Sequence, residues 1–449
     1  MTLMDLSATA LAARVRAGET TPTEVAAAAR ARADARNPGL NALTVINPSL
    51  ESEAAEVTER LNAGADLPLA GVPVVIKDNI WVKGLPITQG SRLFASFVAP
   101  EDAEAVRRLR VAGALILGIA TCSEFACKGV TNTPLHGQTR NPVDPRLTTG
   151  GSSGGPVAAV AGGMAPLALG TDAGGSSRRP PAHTGLYGFK PSLDLVPYGP
   201  GFDEPVDGIS VICPIARTLD DITLAMSVLA GLPPASPLAG KLAWSADFGL
   251  GQRLDAELET ALDDAIAGLA AQGLPLTQAA PDWEGLDGGA VMPLQHAGLA
   301  RLHGAAWRAA PDALDPDLAA QIEAGLALSP SAVATARDAS ARMGEILTAF
   351  LTEYSALIVP TTPCPAWPVD QIAPQSIGGA PCAPRAHAAF TPQANHAGCP
   401  AITLPFATTR AGLPLGLQLI AARGQDAGLL ATAGTLMAML AQQEQERVP

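Results

Sequence analysis

The sequence predicts an α/β fold, a sheet with helices on its faces, and three observations carry that prediction. Two short apolar runs rich in Val and Ile, "GVPVVIKDNI" from Gly71 and "GALILGIAT" from Gly113, are bounded by Gly and Pro and have the length of buried strands. Between them "EDAEAVRRLRVAG" has the spacing of a helix, and strand–helix alternation packs helices on a sheet. The chain has 449 residues, 47% apolar and 16% charged, so it can bury a large core.

The elements follow in order. Ser7 caps a first helix that ends near Gly18. Thr21 is an N-cap, Pro22 takes the first helical position and Glu24 completes a capping box, so a second helix runs to about Asn37. "PVAAVAGG" can be helical, with Pro156 in its first turn, and "APLALGTD" reads as a buried strand. "LPPASP", Leu232 to Pro237, is a turn-rich joint. "KLAWS" is strand-like, and Leu258, Leu262, Ile266 and Leu269 mark one face of a helix stopping at Gly273. From about residue 281 to 350 the pattern is mostly helical, which predicts a helical insertion near a cleft. "ALIVP" (Ala356–Pro360), "GCPAITLPF" and "GLPLGLQLIA" are further strands. The expectation is one body over residues 1–449, with helices of residues 1–65 packed on it, rather than two separable domains.

Charge and composition exclude several classes. A net charge of −13 argues against nucleic acid and anionic membranes as general partners. No segment reads as a transmembrane helix or secretory signal, so a cytoplasmic location is expected. Cys122, Cys127, Cys213, Cys364, Cys382 and Cys399 form no CxxC pair and read as free thiols. The six histidines form no HExxH, and neither a metal nor another cofactor is expected.

The most unusual stretch is "TTGGSSGGPVAAVAGGMAPLALGTDAGGSSRRP", Thr148 to Pro180, with two Gly-Ser knots around an apolar run. The first knot does not continue into Gly-Lys-Ser/Thr, so it is no P-loop. It matches G-x-S-x-G around Ser152 or Ser153, but that elbow needs a strand before it, and "NPVDPRLTT" has two prolines and no apolar run. The second knot has the strand, "PLALGTD", and "AGGSSR" turns at its end. Consecutive amides there can converge on an anion, and a Ser in such a turn can be a nucleophile beside its own oxyanion hole. A tight structural turn is the alternative. A serine nucleophile needs a base, and no His stands at a recognisable spacing. Lys77 ends the strand "VPVVI"; it either points to solvent or is buried and neutral.

Read together, the pieces resemble the amidase signature family. The motifs are "GVPVVIKDN", "TRNPVDPRLTTGGSSGG", "LALGTDAGGSSRRPPAHTGLYGFKPS", "CPIARTLDD" and "FTPQANHAGCPAITLPF" with "GLPLGLQLI". They cover most of the chain and are weakest between about 280 and 350. The resemblance implies the amidase signature fold, a central mixed β-sheet flanked by helices on both faces. It also implies a Ser–Ser–Lys triad: Ser176 as nucleophile, Ser152 on a cis peptide as proton relay, and Lys77 as base. The amides of Ala173, Gly174, Gly175 and Ser176 would form the oxyanion hole, and Asp172 and Arg178 would pair to brace the turn.

The chemistry of these residue types is compatible with that reading. A hydroxyl donates and accepts at once, so Ser152 can pass a proton from one oxygen to an amine. Lys77 must lose roughly two to three pKa units to act as a base. Arg179 departs from the family pattern; with Arg178 committed to Asp172, it either faces the acyl pocket and binds a substrate carboxylate, or is a solvent-exposed Arg or a second structural ion pair. Cys127 and Ser153 are further candidate substrate contacts. His183, Thr184, Thr149 and Lys128 are other departures. The expected activity is hydrolysis of a small-molecule carboxamide through an acyl-Ser176 ester, with a homodimer left open. One alternative is the glutaminase component of a tRNA-dependent amidotransferase, although the tail offers only Arg385 to grip an amino acid. Another is a binding protein that has lost catalysis.

Overall fold

The strands that form the sheet owe their burial to alternation. A strand sends successive side chains to opposite faces. Val74 and Ile76 join one apolar cluster and Val75 the other; Leu167 and Leu169 likewise oppose Ala168. Burying each large aliphatic chain contributes about 1.5–3 kcal/mol, so both faces must be covered. The computed structural model, which describes residues 2–447, meets this with helices on each side.

In chain order the sheet strands are β1 (Leu43–Ile46), β2 (Pro73–Lys77), β3 (Leu115–Ala120), β4 (Leu167–Asp172), β5 (Tyr187–Lys190), β6 (Val211–Ala216), β7 (Leu242–Trp244), β8 (Leu276–Gln278), β9 (Ala356–Pro360), β10 (Ala401–Thr408) and β11 (Pro414–Ala421). They lie in the order β1-β3-β2-β4-β6-β5-β10-β11-β9-β7-β8. The sheet is mixed. β2 runs parallel to β3 and β4, and β7 parallel to β8 and β9, while the remaining neighbours are antiparallel.

The helices are α1 (Ala8–Arg16), α2 (Pro22–Leu40), α3 (Leu50–Asn62), α4 (Glu104–Val111), α5 (Gly154–Ala161), α6 (Arg179–Thr184), α7 (Leu219–Ala230), α8 (Ala256–Ala271), α9 (Gly288–Ala309), α10 (Pro316–Leu326), α11 (Pro330–Glu353), α12 (Pro392–His396) and α13 (Asp426–Arg447). Their starts follow the caps legible in the sequence. Ser7 accepts from Ala10 N, and Thr21 and Glu24 close a capping box. α2 runs past Asn37 to Leu40, because the residue that stops it is Asn41, in the left-handed conformation at φ 50°.

Four strands carry no clear sequence signal: β1, β5, β6 and β8. β6 holds Pro214 in its middle, a residue that normally argues against a central strand. Its ladder with β5 stops at Ile215, so the missing N–H forfeits nothing on that side. Among the described residues no helix is long and apolar enough to cross a membrane.

Candidate active site

Lys77 is the last residue of β2 and is wholly buried. Its Nζ donates to Ser152 Oγ at 2.8 Å, to Thr171 Oγ1 at 2.9 Å and, weakly, to Thr171 O at 3.4 Å. Parallel pairing of β2 with β4 sets Thr171 beside it. Asn79 Nδ2 donates to Thr171 Oγ1 at 3.0 Å and fixes that hydroxyl. Burial pulls Lys77 down from 10.5 to about 8, with the nearby Asp172 carboxylate opposing the shift. In the neutral amine two N–H bonds can serve Thr171, which leaves the lone pair free to accept from the Ser152 hydroxyl.

Ser152 follows a cis peptide bond from Gly151 and is buried. With Thr171, Ala173, Gly174 and Ser176 it lines one cavity of about 380 Å³. The expected chain is closed at one link only. No hydrogen bond joins Ser152 to Ser176 among the described residues; both line the same cavity.

The turn after β4 is built around Asp172. Its carboxylate accepts from Arg178 Nη2 at 2.9 Å and Nε at 3.1 Å, from Gly175 N at 2.7 Å, Ser177 N at 3.0 Å and Asn395 Nδ2 at 2.9 Å. Burial raises its pKa, but the Arg178 charge and these donors overcome that and hold it well below the usual carboxylate range. Arg178 is fully committed: it also donates to Thr391 O, Gln418 Oε1 and Asn395 Oδ1. The expected Asp172–Arg178 brace is therefore a network reaching α12 and β11.

That network corrects the expectation for Gly175. Its amide is spent on Asp172, so it has nothing left to offer an oxyanion. The amides of Ala173, Gly174 and Ser176 find no acceptor among the described residues. Gly175 has a different necessity. Its φ is +109°, and a Cβ there would lie 2.1 Å from Thr391 Oγ1.

The cavity is thus lined by two serines and unspent turn amides, with a buried Lys bonded to one of the serines. The Amidase family model matches residues 24–281 and 303–430. The chain belongs to the amidase family. It is 34% identical to a glutamyl-tRNA(Gln) amidotransferase subunit from Deinococcus radiodurans, over 96% of this chain and 97% of that one. It is also 34% identical to an acylamidase of Rhodococcus erythropolis, over 97% and 95%. A crystal structure of an amidase superposes with a TM-score of 0.89 at 32% identity, covering 96% of this chain and 99% of the other.

In this amidase-family cavity the candidate substrate contacts divide. Arg179 lines the cavity, opens α6 and is 5% exposed. Cys127 lines it too, but its Sγ lies 3.2 Å from Phe125 O, and burial pushes the thiol up to about 12. Ser153 is a correction. It does not line the cavity: at the N-cap of α5 its Oγ donates to Thr171 O at 3.3 Å and lies 3.3 Å from Ser177 Oγ. His183 and Thr184 do not line it either; His183 packs edge-on against Trp367.

Sequence reading missed Thr171, Asn79, Asn395 and Gln418. Thr171 was available as the strand residue just ahead of the turn. Asn395 and Gln418 lie in quoted motifs, but nothing local marks them as partners of a residue more than two hundred positions away.

Proposed function

We propose that the protein hydrolyses a carboxamide through an ester on Ser176. The observation that carries this reading is Lys77, fully buried, with Nζ 2.8 Å from Ser152 Oγ at the edge of the cavity that Ser176 lines. A buried Lys without a carboxylate partner costs stability, and such a cost is retained where the amine has chemistry to perform.

Ser176 Oγ attacks the carbonyl carbon while its proton passes to Ser152, whose own proton moves to Lys77. Negative charge develops on the former carbonyl oxygen and meets the amides of Ala173, Gly174 and Ser176. The C–N bond breaks, and the same relay returns a proton to the leaving nitrogen. Water, deprotonated through the relay, then attacks the ester and releases the carboxylate and Ser176.

A serine-directed fluorophosphonate, followed by peptide mapping, tests the assignment. Label on Ser176, absent from Ser176→Ala and much slowed in Lys77→Ala, is the expected result. Label on Ser152 or Ser153 would overturn it. Removing the nucleophile should cost amide turnover on the order of 10⁴-fold or more.

The Deinococcus relative gives a second reading, a glutaminase working for a partner protein. Turnover of simple amides by the isolated chain supports a stand-alone hydrolase. Glutamine turnover only with a co-purified partner supports the other. An unlabelled Ser176 and an inert chain would leave a binding protein.

A further inference from the structure

Two arginines that line the cavity, Arg179 and Arg385, form no ion pair among the described residues. Arg179 Nε is buried without a hydrogen-bond partner. It lies against the turn of the nucleophile: a Cβ built on Gly175 would sit 2.8 Å from it. Burial, and next the charge of Arg385, lower Arg179 from 12.5 to about 9, so it stays cationic at neutral pH. Arg385 lines the same cavity. It is an exposed residue, and its side chain makes no ion pair among the described residues.

Every acid nearby is occupied elsewhere or unpaired with these arginines. Asp172 is committed to Arg178. Glu204 accepts from Val206 N at 3.0 Å and Ser210 Oγ at 2.7 Å in its own loop. Asp287 caps α9 through Gly289 N and Ala290 N. Among the described residues no ion pair joins Asp203, the remaining acid on the cavity wall, to either arginine. His387, also on the wall, holds its Nδ1 3.0 Å from Pro384 O, and its Nε2 is buried without a partner. Burial and the two arginines push it well below its ordinary value, so it adds no charge. The two arginines thus line the cavity with no ion-pair partner among the described residues.

Uncompensated buried charge is costly, and the planar fork of a guanidinium matches a carboxylate through two parallel hydrogen bonds. We propose that Arg179 and Arg385 form a subsite for a carboxylate on the substrate, so that the enzyme prefers amides carrying a carboxylate a few bonds from the reacting carbonyl. The short reach follows from Arg179 lying against Gly175, the residue before Ser176. This rests on Ser176 as the nucleophile.

The test compares succinamate with its methyl ester, and separately measures succinate binding to Ser176→Ala by calorimetry. The intact enzyme should favour succinamate in kcat/KM by about tenfold or more, a hydrogen-bonded charge being worth that much. In Arg179→Leu and in Arg385→Leu the acid-to-ester ratio should fall about tenfold or more. Arg179→Lys, which keeps the charge and loses the fork, should restore part of it. Succinate should bind Ser176→Ala, and adding Arg179→Leu should weaken that binding by a similar factor. An acid-to-ester ratio unchanged in both arginine variants would overturn the subsite, as would failure of succinate to bind Ser176→Ala. If Arg179→Leu does not fold, Arg385→Leu, on an exposed segment, decides by the same ratio. Should Ser176→Ala still hydrolyse amides, the nucleophile assignment fails while calorimetry still judges the arginines. An intact enzyme inert to both amides leaves the decision to calorimetry alone.

Discussion

At the scale of single residues, the role proposed for Lys77 predicts a pH dependence. Its value of about 8 leaves roughly one molecule in ten with a neutral amine at pH 7. If that amine is the base, kcat/KM should rise about tenfold between pH 7 and pH 9 and then level off. A profile flat over that range, with chemistry rate-limiting, would assign the base elsewhere. The charged group opposing the shift is Asp172, which remains ionised throughout, and burial raises Cys122, Cys127 and Cys213 out of this range. Stability carries the same sign. An unfolded Lys titrates near 10.5 and the folded one near 8, so the unfolded chain binds more protons between them. Stability therefore falls as pH drops from about 10.5 to about 8, and the whole penalty is present below that. Lys190, also buried and lowered to about 8, adds to this, so the activity profile isolates Lys77 and the stability profile does not. Asp172 offers a second check. Asp172→Asn leaves the buried Arg178 uncompensated and should cost about 3–5 kcal/mol in urea denaturation.

At the scale of elements, the helices after residue 281 grip a loop of the cavity wall. Lys128, buried, pairs with Asp315 at 2.7 Å and Asp317 at 3.0 Å at the start of α10. Gln295 from α9 and Gln321 from α10 each donate to Cys127 O at 3.3 Å. Phe125, at φ 50°, stacks on His303 with ring centroids 3.8 Å apart. The other side of this loop presses on the residue before Ser152: a Cβ on Gly151 would meet Val130 N at 2.7 Å and Lys128 O at 2.8 Å. Lys128→Met strands the buried Asp315 and should cost about 3–5 kcal/mol of stability. It should also lower kcat more than it raises KM, because the displaced loop is the backing of Ser152. Lys128→Met with Asp315→Leu should recover part of the stability lost by the single variant, and additive losses would refute the coupling.

At the scale of the whole molecule, the cysteines report on the integrity of the body. Five of the six are buried and Cys382 is partly exposed. A thiol reagent should modify Cys382 quickly in the native protein and all six after denaturation. Fast reaction of two or more in the native state would mean that the sheet or its helices open readily.

Local rules were legible in the chain alone: where helices start, which runs become strands, and that "APLALGTD" delivers a Gly-Ser turn. Ser7, Thr21 and Glu24 cap as read because capping involves residues three positions apart. The buried strands were legible where Val and Ile repeat without interruption, and β5 and β6 were not, because Gly188 and Pro214 break the pattern and it is pairing and burial in the fold that make them strands. Lys77, Ser152 and Ser176 could be named from motifs, but their meeting could not be derived from spacing. Parallel pairing of β2 with β4 sets Lys77 against Thr171, and the cavity gathers the serines. It took the folded molecule to show that Gly175 serves Asp172, that Ser153 does not line the cavity, and that Arg385 lines it with Arg179. The reason is the same in each case. A hydrogen bond or a burial depends on which atoms the fold brings within about 3 Å, and that distance is not a function of separation along the chain.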